Sequence, residues 1–190
     1  MSRIIAGVAG GISLANVPGD RTRPTTDRVK EALFSRLDSY GILAGARVLD
    51  LFAGSGALGV ESASRGAAEV DLVELSEKAA AVCRRNAELV NKALGRTVVR
   101  VSRSGVQPFL DRLHSYDQWD LVLMDPPYTL SETELAEVLA SLSPRLADGA
   151  VVVVERSSRS PEPVWPDGLE RFADKKYGET RLWYAEPARQ

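Results

Sequence analysis

The residues best suited to chemistry lie in two short runs. The first is Asp50-Leu51-Phe52-Ala53-Gly54-Ser55-Gly56-Ala57-Leu58-Gly59. Its Gly54-x-Gly56-x-x-Gly59 spacing is that of a nucleotide-binding turn between a strand and a helix, and Glu74 follows about 20 residues on. A tight turn of this kind needs a residue at positive φ, and backbone that approaches a ligand needs no Cβ in the way. The Glu74 carboxylate has acceptors for two ribose hydroxyls.

The second run is Asp125-Pro126-Pro127-Tyr128. Two consecutive prolines lack N–H donors and fix φ near −65°, so they neither continue a strand nor enter a helix interior. They freeze a loop in which the Asp125 carboxylate and the Pro126 carbonyl face one way, with the Tyr128 ring beside them. A planar exocyclic amine fits such a site. Its two N–H groups are accepted by Asp125 and Pro126, and its ring stacks on Tyr128. The lone pair of such an amine is delocalised, and two acceptors favour a more pyramidal nitrogen that turns its lone pair toward an electrophile. This is positioning and electrostatics, with no metal and no covalent nucleophile required.

Both runs need a scaffold that ends strands where ligands bind. From residue 47 onward the chain alternates apolar strands with amphipathic helices: strands at 47–52, 70–74, 97–101, 120–124 and 150–155, and helices at 57–65, 77–93, 107–113 and 131–142. Near-continuous apolar strands in βα alternation predict a parallel sheet covered on both faces. Upstream, the runs 4–8 and 12–17 around Gly10-Gly11 predict a hairpin, Pro18-Gly19-Asp20 a turn, and 26–39 a helix. Downstream, 156–168 reads as a long loop, and 171–177 with 181–186 as a second hairpin. The division expected is an N-terminal extension over 1–24 and one domain over 25–190.

The chain has 190 residues, 44% hydrophobic and 26% charged, which excludes a disordered or fibrous class. No apolar run reaches the roughly 18 residues of a membrane helix, and Met1–Gly7 is too short and glycine-interrupted for a signal peptide. A cytoplasmic protein is expected. The one cysteine, Cys83, excludes an intrachain disulfide or thiolate cluster and reads as a packed small hydrophobe. Net charge is −2, but residues 1–36 hold six basic against three acidic residues. A local basic patch on an acidic body predicts few phosphate contacts, mainly from Arg21, Arg23, Arg28 and Lys30. Arg84 and Arg85 read as part of a solvated helix face.

The Asp-x-Phe-Ala-Gly-Ser-Gly run resembles motif I of the class I S-adenosylmethionine (SAM) methyltransferases, and Asp-Pro-Pro-Tyr resembles motif IV of the amino methyltransferases. With Arg3-Ile4-Ile5-Ala6-Gly7 and Arg23-Pro24-Thr25-Thr26-Asp27-Arg28-Val29-Lys30, the whole chain is similar to the RsmD family of bacterial 16S rRNA (guanine-N2)-methyltransferases. The resemblance implies a Rossmann-like, seven-stranded, mostly parallel sheet with a small N-terminal β-hairpin. It implies SAM held by Asp50, Phe52, Gly54, Ser55, Gly56, Glu74 and Ser104, with Asp50 facing the methionine moiety. Asp125, Pro126 and Tyr128 are the implied catalytic residues. Arg21, Arg23, Thr25, Arg28 and Lys30 are the implied RNA contacts, and 16S rRNA in the small subunit or its assembly intermediate is the implied partner. Neither a membrane nor an obligate protein partner is implied. The sequence departs from the family twice: Ala9-Gly10-Gly11-Ile12 replaces a basic hairpin stretch, and Ser104-Gly105 stands where relatives carry an acidic residue near the adenine.

Three other readings stay open at this level. The Asp-Pro-Pro-Tyr run also suits an adenine-N6 methyltransferase acting on DNA or RNA. The glycine fingerprint alone suits an NAD oxidoreductase, which leaves Asp125–Tyr128 unexplained. A non-catalytic SAM- or NAD-binding, RNA-associated protein shares the same motifs.

Overall fold

The structure is a computed structural model and describes residues 2–19 and 26–190. Two short strands, β1 (Ser2–Arg3) and β2 (Ser13–Leu14), pair antiparallel. Seven more form the main sheet: β3 (Arg47–Leu51), β4 (Glu69–Glu74), β5 (Val99–Arg103), β6 (Trp119–Met124), β7 (Leu146–Ser157), β8 (Leu169–Tyr177) and β9 (Thr180–Pro187). Their order is β5-β4-β3-β6-β7-β9-β8. The first five are mutually parallel, and β9 runs antiparallel to β7 and β8. The chain moves from β3 outward to β4 and β5, then crosses back to β6. The point where the order reverses therefore lies between β3 and β6, where open α/β sheets form their ligand crevice.

Period-two alternation sends neighbouring strand residues to opposite faces. Val48, Leu72, Leu121 and Val153 pack with α1 (Asp27–Ser39), α2 (Ala57–Ser64) and α3 (Glu77–Leu94). Leu49, Leu51, Val122 and Val154 pack with α4 (Val106–Asp111) and α5 (Glu132–Leu142). The helices start where local chemistry allows: Thr26, Ser76 and Ser131 each accept a backbone N–H three residues on. No helix among the described residues is long and apolar enough to cross a membrane.

The N-terminal hairpin is shorter than the apolar runs predict. Only Ser2↔Leu14 and Arg3↔Ser13 pair as strands. Ile4 N–H still donates to the Ile12 carbonyl (2.9 Å) and Gly11 N–H to the Ile4 carbonyl (2.8 Å), but donors beyond them go to α2. The Ile5 and Ala6 N–H groups donate to the Glu61 carboxylate (2.8 and 3.2 Å), Val8 N–H to the Ser64 carbonyl (2.9 Å), and Ala9 N–H to Ser64 Oγ (3.0 Å). Glu61 and Ser64 are buried, and each unmet N–H would cost about 1–3 kcal/mol there. Ile4, Ala9 and Leu14 thus join the same core as α1 and α2. The boundary expected at 24/25 lies outside the described residues.

Two boundaries shift for similar reasons. Strand β5 starts at Val99, not 97, because Asn91 Oδ1 accepts from both Val98 and Val99 N–H (2.9 Å each) and ties that entry to α3. The expected loop at 156–168 begins later, since β7 stays paired with β9 as far as Ser157↔Thr180.

Candidate active site

Register brings the two runs side by side. The last pair between β3 and β6 is Leu51↔Met124, so Phe52 and Asp125 leave adjacent strands at the same carboxyl edge. On the other flank Glu74 closes β4, paired with Arg103, and Ser104 follows β5. Phe52 has φ 59°, the one non-glycine at positive φ among the described residues. A bulky side chain there costs about 1–3 kcal/mol and persists only where its surroundings impose it. Here Ala53 N–H donates to the Val73 carbonyl (3.0 Å) and the Phe52 ring packs on the α4–α5 face. The kink carries Ala53–Gly56 over the end of β4.

Gly54, at φ 60°, has open space where a Cβ would stand, so the turn presents bare backbone to a ligand. Its N–H donates to Glu74 Oε1 (2.9 Å), and Ser76 N–H donates to Glu74 Oε2 (2.7 Å). A carboxylate has about four acceptor positions, so roughly half remain for ribose hydroxyls. The Cys83 thiol donates to the Gly54 carbonyl (3.0 Å); burial pushes its pKa well up, so it stays a protonated strut. Ser55 is held through its carbonyl, which accepts from Asn86 Nδ2 (2.8 Å). Gly59 lies so close to the sheet that a Cβ there would collide with Leu72.

Asp50 is buried beneath this turn, and its Oδ2 accepts from Gly59 N–H (3.0 Å). Burial pushes its pKa up to about 8; the Gly59 hydrogen bond opposes the shift and the Glu74 charge adds to it. A buried carboxyl of this kind suits a cationic neighbour, as a sulfonium and ammonium ligand would provide. Ser104 sits at the far side. Its hydroxyl donates to the Gly105 carbonyl (2.8 Å) and accepts from Arg112 Nη2 (3.1 Å), and Gly105 caps α4. The residues present fit an adenosine ligand with a cationic end.

Beyond β6, Asp125 is half-buried, Pro126 is buried, and Tyr128 is 60% exposed at the rim. The loop then turns, with Leu130 N–H donating to the Pro127 carbonyl (3.0 Å). Arg156 of β7 fixes its far end: Nη2 donates to the Leu130 carbonyl (3.2 Å) and to Glu132 Oε1 (2.6 Å). The Arg156 side chain is only 6% exposed.

Sequence reasoning missed Arg156 and Asn86. The signal for Arg156 was a basic residue two positions after the apolar Val151–Val154 run. Asn86 is fully buried and also bonds both backbone groups of Ala15, so it joins the N-terminal segment to the glycine turn. The RNA contacts expected near the N-terminus are not all brought to the surface. Arg28 is exposed on the first turn of α1. Lys30 corrects the expectation: it is 2% exposed, its Nζ donates to the Arg3 carbonyl (2.7 Å), and it pairs with Glu61 (3.6 Å). Its ammonium secures the extension and does not face a phosphate. Arg21, Arg23 and Thr25 lie outside the described residues.

A family model described as Conserved hypothetical protein 95 matches residues 2–186. The chain is 34% identical to the Ribosomal RNA small subunit methyltransferase D of Haemophilus influenzae, covering 93% of this chain and 89% of that protein. It is 31% identical to the Putative rRNA methyltransferase YlbH of Bacillus subtilis, covering 94% and 95%. Among solved structures, Putative methyltransferase yhhF from Escherichia coli superposes with a TM-score of 0.82 at 31% identity, covering 99% and 98%. The fold is the class I SAM-dependent methyltransferase fold with a small N-terminal hairpin sheet.

Proposed function

The chain belongs to the Conserved hypothetical protein 95 family, the RsmD family, and we propose that it transfers a methyl group from SAM to the exocyclic N2 amine of a guanine in 16S rRNA. The observation that carries the reading is that Asp125 leaves β6 beside Phe52 of β3, with Glu74 closing β4 on the other flank of β3. An adenosine-binding turn and an amine-positioning loop then share one opening. The relatives' names supply the methyl transfer and the small-subunit rRNA substrate.

Bound SAM supplies an electrophilic methyl on a sulfonium. Glu74 accepts from the ribose hydroxyls, and the Gly54–Gly56 backbone lines the nucleoside. Asp50 faces the cationic end, and its carboxyl is ionised there by that charge. Asp125 and the Pro126 carbonyl accept the two amine N–H groups and turn the lone pair toward the methyl. Tyr128, exposed at the rim, stacks on a base taken out of its helix. Asp125 would take the amine proton as the N–C bond forms and the methyl's bond to sulfur breaks, leaving a neutral thioether. Arg21, Arg23 and Arg28 are the proposed phosphate contacts, and of these Arg28 is exposed on the first turn of α1. The substrate is the guanine as presented by the small subunit or its assembly intermediate in the cytoplasm.

The test is incubation with isotopically labelled SAM and 16S rRNA, naked and in small-subunit particles, followed by mass spectrometry of the nucleosides. Labelled N2-methylguanosine, faster on particles, is expected. Labelled N6-methyladenosine in its place overturns the guanine assignment, and no labelled nucleoside overturns the activity.

A further inference from the structure

Residues 1–36 are basic and the rest of the chain taken together is acidic, yet within that rest residues 84–103 hold six Arg or Lys against a single Glu. The fold gathers this stretch on one edge of the molecule. It comprises the second half of α3, the turn at Gly95 and all of β5, the outermost strand on that side of the sheet. Between them runs an open groove of about 680 Å³. Ala87, Val99 and Val101 line its floor, and Arg84, Lys92 and Arg96 stand exposed along it. Arg84 and Lys92 are eight positions apart, so they share a helix face about 12 Å apart along the axis.

The charge of this edge is unequally neutralised. Arg100 faces Asp71 (3.6 Å) and Glu69 (3.7 Å), and Arg103 faces Glu77 (3.8 Å). Among the described residues, Arg84, Lys92 and Arg96 take part in no ion pair, and Glu88 is the one acid in the groove. The strand that floors the groove continues to the crevice, since Arg103 at the end of β5 pairs in register with Glu74 at the carboxyl edge.

We propose that the groove between α3 and the outer edge of β5 is an RNA-backbone surface that holds phosphates of the rRNA flanking the target. The proposal rests on the rRNA reading given above. Charge and concavity favour a polyanion of groove width. Charge on an edge strand also guards against strand addition. That duty falls to side chains of β5, whereas Arg84 and Lys92 project from α3.

The test is a triple variant, Arg84→Ala, Lys92→Ala, Arg96→Ala, measured beside the wild type. Binding to 16S rRNA and to small-subunit particles is followed across salt concentrations. SAM affinity is measured by calorimetry, nucleoside methylation by mass spectrometry and oligomeric state by light scattering. Affinity for RNA should fall about tenfold near physiological salt, and the log–log salt slope should shrink by about 2–3. SAM affinity and melting temperature should stay at wild-type values, because all three side chains are exposed. Wild-type RNA affinity and slope in the variant overturn the groove and leave the functional reading standing if methylation persists. Self-association of the variant without loss of RNA binding also overturns it, in favour of edge protection. Lost RNA binding in the variant, with no methylated nucleoside from the wild type, supports the groove and overturns the functional reading. A wild type that binds no RNA overturns both.

Discussion

Gly54 N–H donates to Glu74 Oε1 at 2.9 Å, so the carboxylate that ends β4 also fastens the turn that follows β3. Glu74 therefore fastens the loop, and the proposed function gives it the ribose as a second duty. Charge-assisted bonds are worth about 1.5–3 kcal/mol each. Glu74→Ala should weaken SAM binding at least about tenfold by calorimetry. Glu74→Gln, which keeps one acceptor oxygen and loses the charge, should fall between. Unchanged affinity in the alanine variant removes Glu74 from the cofactor site.

Asp125 sits one residue past the last β3–β6 pair, and the proposed function gives it the amine and not the nucleoside of the donor. Asp125→Ala should lower turnover by about 10² or more, with SAM affinity within a few fold of wild type. Tyr128→Ala should lose a base-stacking contact of about 1–3 kcal/mol, visible in KM, and Tyr128→Phe should recover most of it. Near wild-type single-turnover rates for the Asp125 variant remove it from amine positioning.

Asp50 sets a pH dependence with a definite sign. Its folded-state pKa of about 8 lies above the ordinary aspartate value of 3.8, raised by burial against the Gly59 hydrogen bond. Between those values the native state holds a proton the unfolded chain has lost, so stability without ligand falls as pH rises through that window and levels off above it. Asp50→Asn should flatten the slope in urea titrations. A cationic ligand end beside Asp50 expels the proton, so SAM affinity should rise as pH approaches 8. Proton release should appear in calorimetry when buffers of different ionisation heat are compared near pH 7. Buffer-independent binding heats would place Asp50 away from the ligand's charge.

The Arg156–Glu132 pair is asymmetric: its side chains are 6% and 33% exposed. Glu132→Ala strands a buried guanidinium on the Leu130 carbonyl alone and should cost about 3–5 kcal/mol. Arg156→Leu leaves a carboxylate that can turn to water and should cost less. Both should slow methyl transfer while leaving SAM affinity in place, since they loosen the loop behind Tyr128. Arg156→Lys should restore part of the rate. The comparison needs urea unfolding and single-turnover kinetics, and the reverse order of stability would show that the pair does not carry the loop.

The alternation of strands and helices, and the place of both motifs at strand ends, was legible in the sequence because those signals are local. Apolar periodicity sets which face each element buries, Gly54 permits the turn, and Pro126-Pro127 stops β6. The serine and threonine caps that start α1, α3 and α5 are equally local. What only the tertiary structure decided was where the buried polar groups find partners. Lys30 reads as a surface cation until Glu61 and the Arg3 carbonyl are brought beside it. The Ile5, Ala6 and Ala9 N–H groups choose Glu61 and Ser64, more than fifty residues away, over their own ladder. Arg156 meets Glu132 only because β7 lies beside β6, and the basic residues of α3 and β5 form one edge only because β5 ends the sheet. A buried charge must be paired somewhere, and the sequence states that requirement. The identity of the partner is set by which distant elements the packed sheet brings within hydrogen-bond reach.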